Sequence, residues 1–131
     1  MTVGIDRQAQ VLLAKAADDE AVLLLPGVPE GPFGFHVQQA VEKLLKALLC
    51  QLSIEYKFTH DLDHLELQLK DAGEALPNAL EDFSKIGTFA VTNRYDDIPE
   101  FHVLDHDAAK ATVRLIREHV VARIAALSTA P

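Results

Sequence analysis

FHVQQAVEKLLKALL, residues 35–49, decides the fold. Set on a wheel of about 100° per residue, its apolar residues gather on one side. Val37, Val41, Leu44, Leu45, Leu48, Leu49 and the following Leu52 fill a wide arc. Ala40 and Ala47 share the edge of that arc, where a neighbouring helix can come close. Gln39, Glu42, Lys43 and Lys46 fall together on the narrow strip that is left. An arc this wide exceeds what a surface helix needs, so the helix is expected at the centre of a bundle. Its polar strip then lines a groove or an edge between neighbours. Two readings of the strip compete. Glu42–Lys46 and Gln39–Lys43 are solvated i,i+4 pairs, each worth about 0.2–0.5 kcal/mol, or the strip faces a ligand or a partner. Gln38 falls inside the apolar arc and needs a hydrogen-bond partner if it is buried.

Further helical patterns lie on both sides of this one, and no strand pattern is convincing. A first helix is expected from about Asp6 to Leu25, with Val11, Leu12, Ala14, Lys15, Ala16, Val22 and Leu23 as its stripe. PGVPEGPFG (26–34) breaks it with three prolines and three glycines. The central helix follows, from about Phe33 to Leu52. A third is expected after Thr59, a good N-cap, with Asp61 and Asp63 suiting its first turn and Leu62, Leu65, Leu67 and Leu69 apolar. Gly73 ends it. A fourth is expected from about Pro77 to Val91, opened by a proline whose missing N–H costs nothing there. NRYDDIPEFHVLD (93–105) reads as a loop. The fifth spans about Asp105 to Leu127, with Val113, Ile116, Val120, Ile124 and Leu127 on one stripe. Short connections between amphipathic helices predict an all-α fold, an up-and-down antiparallel bundle of about five helices forming one domain over residues 1–131.

Bulk properties narrow the function. At 131 residues the chain can bury a real core. Hydrophobic residues make up 49% and charged residues 24%, the balance of a globular protein. A net charge of -8 argues against broad binding of a phosphate backbone, though not against one local basic groove. The single cysteine, Cys50, excludes an internal disulfide and a cysteine-held zinc, and it fits a reducing cytoplasm. The opening residues lack the basic leader and unbroken apolar run of a signal peptide. No apolar stretch approaches the roughly 20 residues of a membrane span.

Taken together, FHVQQAVEKLLKALL, then FTHDLDHL, then NRY resembles the HEPN domain family (higher eukaryotes and prokaryotes nucleotide-binding) over nearly the whole chain. The most specific part is Gln-Gln-Ala-x-Glu-Lys-x-x-Lys-Ala followed by Thr-His-Asp-Leu. The resemblance implies a helical bundle, usually a homodimer, that binds nucleotide or RNA or partners a minimal nucleotidyltransferase in toxin–antitoxin-like pairs. Other members are metal-independent ribonucleases. By resemblance the ligand-binding positions are Gln39, Glu42, Lys43 and Lys46 on the central helix, His60 and Asp61 in Thr-His-Asp-Leu, and Arg94 and Tyr95 in the Arg-Tyr motif.

Chemistry gives these residues jobs. Lys43, Lys46 and Arg94 can neutralise phosphates. Tyr95 can stack on a base, and His60 can carry a proton near neutral pH. The structural alternatives are that His60 and Asp61 cap a helix and that Arg94 locks a loop. Ribonuclease members carry an Arg, four to six residues, then a His. Arg94 and His102 miss that spacing, whereas Arg114 and His119 fit it in RLIREH. On a regular helix those two side chains point about 140° apart, so they would converge only through a kink or across a dimer. Zinc is a further possibility through His60 and His64, with His102, Asp105 and His106 near in sequence, but no third ligand is set by spacing. No Walker loop, dinucleotide fingerprint or serine elbow is present. Neither metal nor cofactor is assigned, and a purely structural or adaptor bundle stands as the remaining reading.

Overall fold

The computed structural model describes residues 4–56, 61–77 and 105–129. Among these are four helices and no strand: α1 (Arg7–Leu23), α2 (Glu30–Gln51), α3 (Leu62–Asp71) and α4 (His106–Thr129). The expected helix at about 77–91, most of the 93–105 loop, His60, Arg94 and Tyr95 lie outside the described residues.

Each helix begins and ends for a local reason. Asp6 caps α1, its carboxylate accepting from the Ala9 N–H at 2.9 Å. The same residue is tied to the far end of α2: its N–H donates to Gln51 Oε1 at 2.7 Å, and Gln51 Nε2 donates to the Gly4 carbonyl at 3.1 Å. α2 starts at Glu30, inside the proline–glycine segment that was expected to be a break. Pro32 is its third residue, where the missing N–H would have no helical partner. α3 is capped by Asp61, which accepts from the Asp63 N–H at 3.0 Å, and starts later than a Thr59 cap would put it. Asp105 does the same for α4, accepting from Ala108.

α2 and α3 end in the same way. Ser53 N–H donates to Cys50 O and Ile54 N–H to Leu49 O; Gly73 N–H donates to Lys70 O and Glu74 N–H to Leu69 O. Both are Schellman closures, which need a left-handed residue after the cap. Gly73 supplies it at φ 84°, but Ser53 is held at φ 58° against its Cβ. Ser53→Gly is expected to stabilise the protein by about 1 kcal/mol, seen as a higher urea midpoint at unchanged slope.

The core forms around α2, which touches each of the other three helices. Val37, Ala40, Val41, Leu44, Leu45, Ala47, Leu48 and Leu49 are fully buried, so the wide arc and its alanine edge are where the pattern places them. α1 packs antiparallel along α2 and turns into it within six residues, 24–29. α4 runs with its start beside the start of α2, where the Phe33 and His106 rings stack at 3.7 Å. Val113, Ile116, Val120 and Ile124 of its stripe are buried as expected, with Ala109 beside them, whereas Leu127 is only half-buried. The α1 stripe needs correction. Ala9, Leu12, Ala16, Asp19 and Leu23 are buried, whereas Val11, Ala14 and Lys15 are exposed. Leu67 of α3 is also exposed.

One ion pair joins the end of α3 to α4. Arg123 donates from Nε and Nη2 to the two Glu74 oxygens at 2.8 and 3.0 Å. This fork, outweighing the effect of burial, holds the Glu74 carboxyl below its ordinary value of 4.5. A depressed folded value means the contribution is full above the unfolded value and fades as pH falls through the folded one. Acid below about pH 4.5 is therefore expected to remove it. Arg123 is 39% exposed, so the loss should stay near 1 kcal/mol. In Glu74→Gln the corresponding part of the acid slope should vanish when urea midpoints are compared across pH.

Candidate functional site

The polar strip of α2 is wider than four residues and is largely enclosed. Read around the helix its polar side chains run Gln38, Glu42, Lys46, Gln39, Cys50, Lys43, His36, with Leu49 and Phe35 on either side of Glu42. Gln38 and Glu42 are 4% exposed and Lys46 is 9% exposed. Gln38 Nε2 donates to Glu42 Oε1 at 3.0 Å, and Lys46 Nζ donates to Glu42 Oε2 at 3.0 Å. Gln39 Nε2 donates to Gln38 Oε1 at 2.9 Å. The expected Glu42–Lys46 pair is present, then, but dry rather than solvated. The Gln38 side chain has the partner that its burial demands.

Lys43 does not pair with Gln39. Its ammonium reaches across to α1 and donates to Asp19 Oδ2 at 2.5 Å. The other Asp19 oxygen meets His36 Nδ1 at 2.7 Å. Asp19 is 6% exposed and lies on the buried stripe of α1, which is why the facing helix must supply the counter-charge. Two carboxylates thus face two ammoniums along the strip, and its formal charge balances before His36 is counted. A phosphate would find no unpaired cation among these four side chains. Lys43 and His36, at 23% and 28% exposure, form the reachable rim.

At the far end the strip meets Tyr56. The Lys46 ammonium lies 5.1 Å from the centre of its ring, and the Cys50 thiol donates to the Tyr56 oxygen at 3.9 Å. Burial pushes the Tyr56 phenol up to about 12. It also pushes the Cys50 thiol up, which disfavours the thiolate that a nucleophile needs.

The remaining candidates are scattered. Asp61 caps α3 and is exposed. Arg114 is exposed on α4 beside Leu24, the residue that follows α1. His119, five residues on, is half-buried. Its Nε2 is buried without a hydrogen-bond partner among the described residues. Within one chain, therefore, Arg114 and His119 face different surroundings. Of the histidines and acids raised as zinc ligands, Asp105 caps α4 and His106 is held by Glu30 at 2.5 Å. His60 and His102 lie outside the described residues. Among the described residues no three His, Cys, Asp or Glu side chains gather as a metal site, and no helix is long and apolar enough to cross a membrane.

Asp19, His36 and Tyr56 are the members of this arrangement that the sequence pattern did not single out. Asp19 had left a signal. It occupies the i+3 step between Ala16 and Leu23 on an otherwise apolar stripe, and an acid there calls for a cation on the neighbouring helix.

No curated protein and no solved structure matches the chain. The model of the HEPN domain matches residues 14–123, which takes in the second half of α1, α2 with its polar strip, α3 and most of α4. On that match over most of its length, the chain belongs to the HEPN domain family.

Proposed function

We propose that this HEPN protein is a cytoplasmic, dimeric binding module: it holds a nucleotide or partners a minimal nucleotidyltransferase in a toxin–antitoxin-like pair. The observation that carries this reading over ribonuclease is the separation of Arg114 from His119. Arg114 is exposed beside Leu24, whereas His119 is half-buried with its Nε2 enclosed. General acid–base cleavage of RNA needs its catalytic groups converging on one phosphate, and this pair does not converge within a chain. The binding site would be built on the rim of the α2 strip. Lys43 is its accessible cation, His36 and Gln39 add an imidazole and an amide, and His60, Arg94 and Tyr95 would complete it by their place in the family pattern. Glu42, Gln38 and Lys46 then act as the support that fixes the helix beneath.

The test is a pair of NMR titrations of the pure protein, one with ATP and one with a short mixed RNA. Shifts should cluster at Gln39, Lys43, His60 and Arg94, and Arg94→Ala should abolish them. Silence with both ligands would sink the nucleotide reading. RNA cleavage that is lost in His119→Ala would instead establish the ribonuclease, with Arg114 and His119 meeting across a dimer.

A further inference from the structure

A second feature lies away from the α2 strip, where the end of α1 meets the first half of α4. Leu23 and Val113, at 2% and 1% exposure, line a small cavity there, and Leu24, 68% exposed, is its lip. The cavity measures about 190 Å³. Lys110, Arg114 and Arg117 stand around it, one turn apart on α4. Arg117 is occupied: it donates to both Glu20 oxygens and, at 2.9 Å, to the Leu13 carbonyl. Lys110 and Arg114 make no ion pair or hydrogen bond among the described residues. Arg114 leaves Glu118, one turn along its own helix, unused.

We infer that this groove docks an acidic amphipathic helix of a partner protein. Charge complementarity argues for it, since two unpaired cations stand side by side on a chain of net charge -8. Size argues for it as well. Sites for whole small ligands run to about 300–1,000 Å³, whereas this cavity suits one aliphatic side chain. That side chain would rest on Leu23, Leu24 and Val113, with carboxylates a turn to either side on Lys110 and Arg114. An apolar floor with an apolar lip is poorly suited to a run of phosphates, which favours the peptide over RNA. The bland alternative is that both cations serve the carbonyl end of α1 through its dipole. The inference does not rest on the nucleotide reading or on the partner's being a nucleotidyltransferase.

The experiment uses a fluorescein-labelled peptide of about four helical turns, leucine on one face and glutamate elsewhere. A second peptide carries lysine for every glutamate, and a short mixed RNA is the third probe. The glutamate peptide should bind and shift the NMR signals of Leu24, Lys110, Val113 and Arg114. Lys110→Glu with Arg114→Glu should weaken it by about tenfold or more while the thermal midpoint stays unchanged. Equal binding by the lysine peptide, or by the doubly reversed variant, would overturn the proposal. So would shifts at these residues with RNA alone, which would mark a phosphate site. A fall in the midpoint with unaltered binding would assign the cations to the end of α1. The nucleotide titration reads Gln39, Lys43 and Arg94, so either result can fail without the other.

Discussion

Lys46→Met is expected to destabilise the protein by about 3 kcal/mol, lowering the thermal midpoint by on the order of 10 °C. The Lys46 and Glu42 side chains are 11% and 5% exposed, and the ammonium is the partner of Glu42 Oε2. Removing it takes the charged partner of Oε2 away from a buried carboxylate, which costs more than the pair is worth intact. The loss would take a large share of the roughly 5–15 kcal/mol that a domain of this kind possesses. Lys46→Met with Glu42→Leu should recover most of it, because an apolar pair of similar volume loses no hydration. Gln38 keeps Gln39 as a neighbour in that variant. Urea unfolding followed by circular dichroism measures all three proteins. A single variant as stable as the parent would mean that solvent already reaches Glu42.

Phe33→Ala is expected to cost about 3–5 kcal/mol. Phe33 is 1% exposed, and its ring lies parallel to that of His106, 4° between planes. The cost has two parts: the lost burial of a large side chain, and the cavity that backbone at the start of two helices cannot collapse to fill. The same stack seats the first residue of α4 on the first turns of α2, so the loss should also appear as faster amide exchange at the start of α4. Phe33→Leu keeps most of the volume and should cost about 1.5 kcal/mol or less. An alanine variant with unchanged exchange at His106–Lys110 would show that Glu30 alone anchors that end.

These two residues also mark how far the sequence could be read. The arc of α2 was legible because seven apolar residues agree on one side of a helix, and no other geometry buries them together. The α4 stripe was legible for the same reason. Lys46 was placed on the right strip, but its burial was not readable. A wheel gives the direction of a side chain and not what lies over it. Asp19 shows the opposite failure: its position on the α1 stripe was plain in the sequence, yet Val11 and Lys15 were read as core beside it. The start of α2 was missed because prolines and glycines signal a break on average, while a first turn tolerates them. The family resemblance located the candidate site, and it could not show that Lys43 and Lys46 already answer to Asp19 and Glu42.

The pairing of α1 with α2 also governs the order of events when the chain folds. These helices share an extensive contact and are joined by a six-residue turn, so closing them costs little chain entropy. The contact of α4 with α1 is of another kind: Arg117 meets Glu20 across 97 residues of chain. As a hypothesis drawn from that contrast, the α1–α2 hairpin forms in the rate-limiting step and α4 docks afterwards. Truncations at Ala16 and Val41 should then mainly slow refolding, and truncation at Ile116 should mainly speed unfolding. The reverse pattern in stopped-flow kinetics would place the nucleus on α4.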